Sequence, residues 1–161
     1  LKIVFILNLI LLKLMDKQII FMKAALQQAA IAFENGEVPI GAIVVFKGKI
    51  IARAYNQVEQ LKDATAHAEM IAITSAMQFV GGKYLKDCTV YTTLEPCVMC
   101  AGAIHHAGID NVVYGAKDPS SGFVSKTNNL FSKKSQIRSG VLEKECAELL
   151  QAFFKKKREE S

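Results

Sequence analysis

The order of apolar and polar positions divides the first half of the chain into one helix and a hairpin. Over residues 16–35, apolar side chains recur every three or four positions, which predicts a helix with one buried face that ends at Asn35-Gly36. Residues 40–46 form a continuous apolar run, which predicts a strand buried on both faces. After a Lys47-Gly48 turn, Lys49–Tyr55 completes a hairpin with that strand.

The second half alternates helices and strands. Helices are predicted over residues 66–77, 97–107 and 142–157, and strands over Cys88–Leu94 and Asn111–Ala116. Residues 117–135, between the last of these strands and the last helix, are poorly patterned, and we expect a short helix there near residues 128–131. Short crossovers favour parallel pairing of the later strands, so the chain is expected to form an α/β fold of three layers, α-β-α, with helices on both faces of the sheet.

Two cysteines and one histidine suggest a metal site. Cys97 and Cys100 would both lie on the first turn of a helix that starts at Pro96, where the helix dipole favours thiolates. His67 comes at the start of another predicted helix, which Asp63 or Thr65 would cap. Three protein ligands leave the fourth position of a tetrahedral zinc open, as catalytic zinc sites require.

Glu69, two residues after His67, is the nearby group able to move protons at such a site. Residues two apart on a regular helix face different ways, so both can serve one site only if His67 caps the helix and Glu69 lies inside it. A C-x-x-C pair could instead be redox-active, half of a zinc ribbon or simply buried. The isolation of Cys88 and Cys146 argues against a ribbon. The two motifs, residues 67–69 (His-Ala-Glu) and residues 96–100 (Pro-Cys-x-x-Cys), together favour a zinc hydrolytic site.

Charge and cysteine content suggest a partner and a compartment. The chain has 161 residues, enough for one domain, and a net charge of +5. The basic residues cluster at Lys133, Lys134 and Arg138 and over residues 155–158, which favours RNA as a partner, although a basic helix end also complements its own dipole. Four cysteines without a disulfide framework favour the reducing cytoplasm.

Residues 1–14 form a separate apolar stretch. This stretch is short for a membrane span, and no signal cleavage site follows it. We expect Met15 to be the biological start, with residues 1–14 an upstream extension, residues 15–161 a single domain and no stable membrane association. A membrane anchor is the alternative.

The two motifs resemble the zinc-dependent cytidine deaminase superfamily and, within it, the bacterial tRNA-specific adenosine deaminases. The resemblance runs from about Met15 to the C-terminus. It rests on Glu37-Val38-Pro39-Ile40-Gly41-Ala42, Asn56 and residues 64–69, 93–103, 112–116 and 140–142. It implies a cytidine-deaminase-like fold with a mixed five-stranded sheet, whose last strand would lie within residues 135–139.

The resemblance also implies an activity, a cofactor and partners. The reaction is hydrolytic deamination of adenosine to inosine at the wobble position of a tRNA, that of arginine, with the anticodon stem-loop as the partner. One Zn²⁺ per subunit, held by His67, Cys97 and Cys100, activates water, and Glu69 shuttles protons without binding the metal. The implied assembly is a homodimer.

Five further residues are expected to contact the substrate. The resemblance makes Asn56 a partner of the base and Asp118 a partner of the sugar, although either could be a turn residue. Val38 would supply an apolar wall, while His106 and Phe154 would contact RNA outside the pocket. The chain departs from the usual family pattern at Gly108, at Asn111 and over residues 119–123.

Two other functions remain open from the sequence. The same metal site could deaminate a free base or nucleoside of the guanine or cytosine type. A zinc-stabilised RNA-binding domain without activity is the second alternative, and Glu69 argues against it because packing alone would favour a small or apolar residue there.

Overall fold

The computed structural model of the chain describes residues 2–127 and 130–160. Within them, six helices and five strands follow one another in the order α1 Lys2–Glu34, β1 Gly41–Phe46, β2 Lys49–Tyr55, α2 Val58–Leu61, α3 Ala68–Val80, β3 Cys88–Leu94, α4 Val98–His106, β4 Asn111–Ala116, α5 Phe123–Lys126, β5 Gln136–Arg138 and α6 Glu143–Glu159.

The strands form one mixed sheet in the order β2-β1-β3-β4-β5. Strand β1 pairs antiparallel with β2 and β3, whereas β3, β4 and β5 are parallel. Strand β1 is an interior strand, and its continuous apolar sequence is explained by the cover on both of its faces. The expected fold class, with a mixed five-stranded sheet and helices on both faces, is confirmed.

Successive residues of β1 face opposite layers, as the pleat requires. Ala42 and Val44 join a core formed with α3 and α4, while Ile43 and Val45 join a second core formed with α1 and α6. The α3–α4 layer is the one that matters for function, because the predicted metal ligands lie at the N-terminal ends of these two helices.

Some predicted element bounds are wrong. Helix α1 begins at Lys2 and includes the apolar stretch before residue 16. The short helix expected near residues 128–131 is at Phe123–Lys126, where the buried Phe123 ring packs against Tyr114 and Phe131. Of the predicted residues, 130 and 131 are not helical and 128 and 129 lie outside the described residues.

Among the described residues, no helix combines the length and the apolar character that crossing a membrane requires.

Candidate metal centre and pocket

His67 is the N-cap residue of α3. Its backbone is extended, with φ −69° and ψ 152°, and the helix begins at Ala68. The prediction that Asp63 or Thr65 caps this helix is wrong, because the Asp63 carboxylate accepts hydrogen bonds from the backbone N–H and hydroxyl of Thr65 at 2.8 and 2.7 Å. Since His67 lies outside the helix and Glu69 in its first turn, both can face one site.

Cys97 has the same position on α4. It is the N-cap residue, with φ −69° and ψ 170°, and the helix begins at Val98, so the predicted start at Pro96 is wrong. Cys100 follows in the first turn and is fully buried. The N-termini of α3 and α4 therefore meet at one end of the α3–α4 layer.

The three side chains form a compact set of metal donors. His67 Nδ1 lies 3.7 Å from Cys97 Sγ and 3.4 Å from Cys100 Sγ, and all three donor atoms are within 4.8 Å of one another. Around a tetrahedral zinc, bond lengths of about 2.3 Å to sulfur and 2.0 Å to nitrogen put the two donors about 3.6 Å apart. The donors therefore fit such an ion, with one coordination position left for another ligand.

Charge in the cluster favours a cation. Hydrogen bonds to Cys100 and then to His67 lower the pKa of the Cys97 thiol to about 4. The hydrogen bond to Cys97 in turn raises the pKa of His67, while the bond to Cys97 and then burial raise the pKa of Cys100. The lowered pKa of Cys97 favours its thiolate form, which is the form that binds a metal ion.

Glu69 lies beside the three donors and has only 3% of its surface exposed. Burial is the main cause that raises the pKa of its carboxyl group above the ordinary value. A carboxyl whose pKa moves toward neutrality can both take and return a proton, which is the property required of a general acid and base.

A cavity of about 330 Å³ opens over the cluster. The cavity is lined by the metal-site residues His67, Glu69 and Cys97. Its other lining residues include Val38, Ile40, Asn56, Leu94, Glu95 and Asp118. The volume is at the lower end of the range for small-molecule sites, which suits a single nucleobase.

The structure places three of the five predicted substrate residues at the cavity, namely Val38, Asn56 and Asp118. His106 is the last residue of α4, at the opposite end from Cys97, and does not line the cavity. Phe154 is 46% exposed on α6 while Phe153 is buried, as expected for adjacent helical residues. Contacts of His106 and Phe154 with RNA stay predictions.

Asp118 also serves the alternative role of a turn residue. Its Oδ1 accepts hydrogen bonds from the backbone N–H groups of Ser120 and Ser121, each at 3.0 Å, and from the Ser120 hydroxyl at 2.7 Å. Oδ2 takes no part in these bonds. One carboxylate can therefore shape the 118–121 turn and still offer an acceptor to the cavity.

Two residues with a part in the site were not assigned a role from the sequence: Glu37 and Glu95. Both are almost fully buried at the cavity wall and accept hydrogen bonds from backbone N–H groups, Glu37 from Glu59 in α2 and Glu95 from Asp118. Their sequence signal is weak, since each is simply an acidic residue close to a proline in an apolar segment. Only their burial shows that they are structural acceptors rather than surface charges.

Comparison with known families and proteins gives consistent results. A family model described as MafB19-like deaminase matches residues 15–158. The tRNA-specific adenosine deaminase of Aquifex aeolicus is 46% identical over 142 residues, which are 86% of this chain and 94% of that protein. The enzyme of the same name from Bacillus subtilis is 44% identical and is matched over 89% of this chain and 92% of its own length.

Solved structures with the same fold include two deaminases. A structure from a study of A-to-I editing by tRNA:A34 deaminases at the wobble position has a TM-score of 0.75 and 43% identity, with 81% of this chain and 98% of that chain covered. A guanine deaminase from Bacillus subtilis has a TM-score of 0.58 and 42% identity, over 60% of this chain and 62% of its own.

Proposed function

Because the chain belongs to the tRNA-specific adenosine deaminases, we propose that it converts adenosine to inosine at the wobble position of a tRNA. The observation that carries the proposal is the buried Glu69 carboxyl beside the three metal donors, on the wall of a cavity large enough for one nucleobase. An arginine tRNA is the expected substrate.

We propose zinc as the cofactor, with one ion per subunit held by His67, Cys97 and Cys100. Two thiolates and an imidazole are ligands that zinc favours, and the distances between the donors fit its tetrahedral geometry. Zinc bound there supplies a nucleophile from water at neutral pH by lowering the pKa of the water.

Glu69 carries the proton transfers. Its carboxylate takes a proton from water as the hydroxide adds to C6 of the purine, and it delivers that proton to N1. The same carboxylate then takes the proton of the new hydroxyl group at C6 and passes it to the amino group, so that the C6–N bond breaks and ammonia leaves. Its burial supports this role, because burial raises the pKa of the carboxyl group and the raised pKa eases both transfers.

The remaining residues bind the nucleotide. Asn56 offers its amide to the base, Val38 packs against the base, and Asp118 offers an oxygen to the sugar. The target in an anticodon loop is already unpaired, so moving it into the cavity costs little. His106, Phe154 and the basic residues of α6 bind RNA outside the cavity.

We also propose that the enzyme acts as a homodimer in the cytoplasm, with residues 15–161 as the deaminase domain. The large exposed apolar side chains Leu61, Phe79, Val80 and Tyr84 support a partner surface near α2 and α3. The family match from residue 15 supports the domain assignment. Light scattering of the purified protein tests the dimer.

Deamination of a free base is the second candidate, and the 42% identity to a guanine deaminase favours considering it. Purified zinc-loaded protein should be incubated with an adenosine-34 tRNA, with the same tRNA carrying guanosine at position 34, and with free guanine, cytosine, adenosine and cytidine. Inosine in the first tRNA alone is the expected result. Turnover of free bases or nucleosides without inosine in tRNA would overturn the proposal.

A further inference from the structure

We propose that Glu37 is a positioning residue that fixes the side-chain amide of Asn56 for the substrate base, an inference that rests on the deaminase function proposed above. Glu37 lies in the segment between α1 and β1 and has 1% of its surface exposed. A carboxylate buried this deeply is costly unless its oxygens accept hydrogen bonds, so its bonds explain why it is tolerated.

The Glu37 carboxylate accepts three hydrogen bonds. Oε2 accepts from Asn56 Nδ2 at 3.2 Å and from the backbone N–H of Glu59 at 3.1 Å, and Oε1 accepts from the backbone N–H of Gln60 at 2.7 Å. An ionised carboxylate cannot donate. Asn56 must therefore turn its NH₂ group, and not its carbonyl oxygen, toward Glu37.

This bond removes the freedom of the Asn56 amide to rotate by 180°. Asn56 is held from its backbone as well, because its N–H donates to the Ile40 carbonyl at 3.0 Å. The carbonyl oxygen Oδ1 and the second hydrogen of Nδ2 are the groups left for the base. The amide oxygen accepts hydrogen bonds and the NH₂ group donates them. An amide rotated by 180° would therefore exchange donor and acceptor and would no longer match the base.

The backbone bonds of Glu37 fix the cavity wall next to Asn56. Helix α2 has only four residues, and its first N–H groups have no partner within the helix. Glu37 binds two of them, at Glu59 and Gln60, and Val58 and Glu59 line the cavity. One carboxylate therefore sets both the amide and the wall beside it.

Glu95, which also lines the cavity, is a matched control. It is also buried, and it accepts hydrogen bonds from the backbone N–H groups of Asp118 at 3.1 Å and Val124 at 3.0 Å. None of its described hydrogen bonds reaches Asn56. A change at Glu95 should therefore act independently of one at Asn56.

The test is a double-mutant cycle on kcat/KM for an adenosine-34 tRNA, with E37Q, N56A and E37Q/N56A compared with E95Q and E95Q/N56A. E37Q should lower kcat/KM by roughly ten- to a hundredfold, the equivalent of one lost charge-assisted hydrogen bond. If Glu37 acts through Asn56, E37Q should lower kcat/KM by a clearly smaller factor in the N56A background than in the wild type, and the loss that remains comes from the α2 wall. The effects of E95Q and N56A should multiply.

Zinc content and melting temperature, measured on each variant, show whether it folds. If E37Q does not fold, E37D, which keeps the carboxylate but withdraws it by one methylene, takes its place in the cycle. Multiplying effects of the Glu37 and Asn56 changes in folded, zinc-loaded protein would overturn the positioning role alone. A wild-type protein inactive on tRNA would overturn the proposed function and this inference with it.

Discussion

Glu69 is the residue whose role can be separated most cleanly from metal binding. It touches the cluster but supplies no donor to it, so E69A should lower the rate of inosine formation by at least about a hundredfold while the protein keeps its zinc. The rate is measured by single-turnover kinetics and the zinc by elemental analysis. C97A is the control, because it should lose both activity and metal.

Activity close to wild type in E69A would show that another group moves the proton. Loss of zinc in the same variant would instead make Glu69 a ligand.

Cys97 should be an unusually acidic thiol in the metal-free protein. With its pKa lowered to about 4, it is a thiolate throughout the range from pH 7 to pH 5, so its rate of alkylation by iodoacetamide should change little there. A thiol with the ordinary pKa would react about tenfold more slowly for each pH unit of acidification. Mass spectrometry locates the label.

Zinc should protect Cys97 from the reagent. Cys88, Cys100 and Cys146 serve as internal controls, since burial helps to raise the pKa of each. A rate at Cys97 that falls tenfold per pH unit would contradict the lowered pKa of this thiol.

The metal donors and Glu69 could be predicted because their spacing is local and chemically specific. His67 and Glu69 are separated by one residue, and Cys97 and Cys100 by two, so short motifs carry most of the site. Glu37 and Glu95 could not be assigned in this way. Their partners are 19 to 29 positions away in the sequence, and nothing in a single acidic residue shows that folding will bury it.

Gly41 at the start of β1 sets how closely α1 can approach the sheet. A Cβ at this position would meet the backbone of α1 at Ala25 and Ala29, and backbone atoms cannot move aside without shifting the helix. G41A should therefore lower the free energy of unfolding by about 1–3 kcal/mol or more. Denaturant titration measures the change.

Gly102 within α4 is the matched control. Apart from the chain neighbours and backbone of α4 itself, no atom of the described residues lies within 4 Å of a Cβ added there. G102A should therefore raise the free energy of unfolding by roughly 0.5–1 kcal/mol through better helix propensity. Equal effects of G41A and G102A would show that the contact between α1 and β1 is looser than the structure has it.

Three strands with a strong pattern were predicted to the residue, whereas helix ends were missed by one to three residues and the start of α1 by fourteen. Strands Lys49–Tyr55, Cys88–Leu94 and Asn111–Ala116 are confirmed, since alternating or continuous apolar runs are long enough there to identify a strand. The helix expected at residues 128–131 failed because tertiary contacts decide that region. Hydrogen bonds from Asp118 and Val124 to Glu95 hold the chain there, and Phe123 anchors the short helix.

The charge of the whole molecule predicts how tRNA binding responds to salt. With a net charge of +5 and exposed basic residues on α6, binding of the RNA should release counterions. Raising the salt from about 50 to 200 mM should lower kcat/KM for tRNA by at least about tenfold. K155Q/R158Q should flatten this dependence, as measured by steady-state kinetics. A kcat/KM that does not depend on salt would show that the RNA does not bind to these basic residues.

The layered architecture followed from the order of elements, because a strand, helix, strand sequence with short connections permits few topologies. The predicted metal site requires the N-termini of α3 and α4 to meet, and the structure confirms that they do. The strand order behind this meeting was not predicted. The meeting depends on β1 and β3 being neighbours, with both helices on the same face, and long-range strand order of this kind is not contained in any local pattern.

Single-turnover deamination of an anticodon stem-loop is the most direct test of the proposed activity. The zinc-loaded protein in excess is mixed with RNA that carries adenosine at position 34, and the nucleosides are analysed by mass spectrometry. We expect inosine at position 34 with the wild type and none with E69A. Unchanged adenosine with zinc-loaded, folded wild-type protein would contradict the assignment of this site to tRNA deamination.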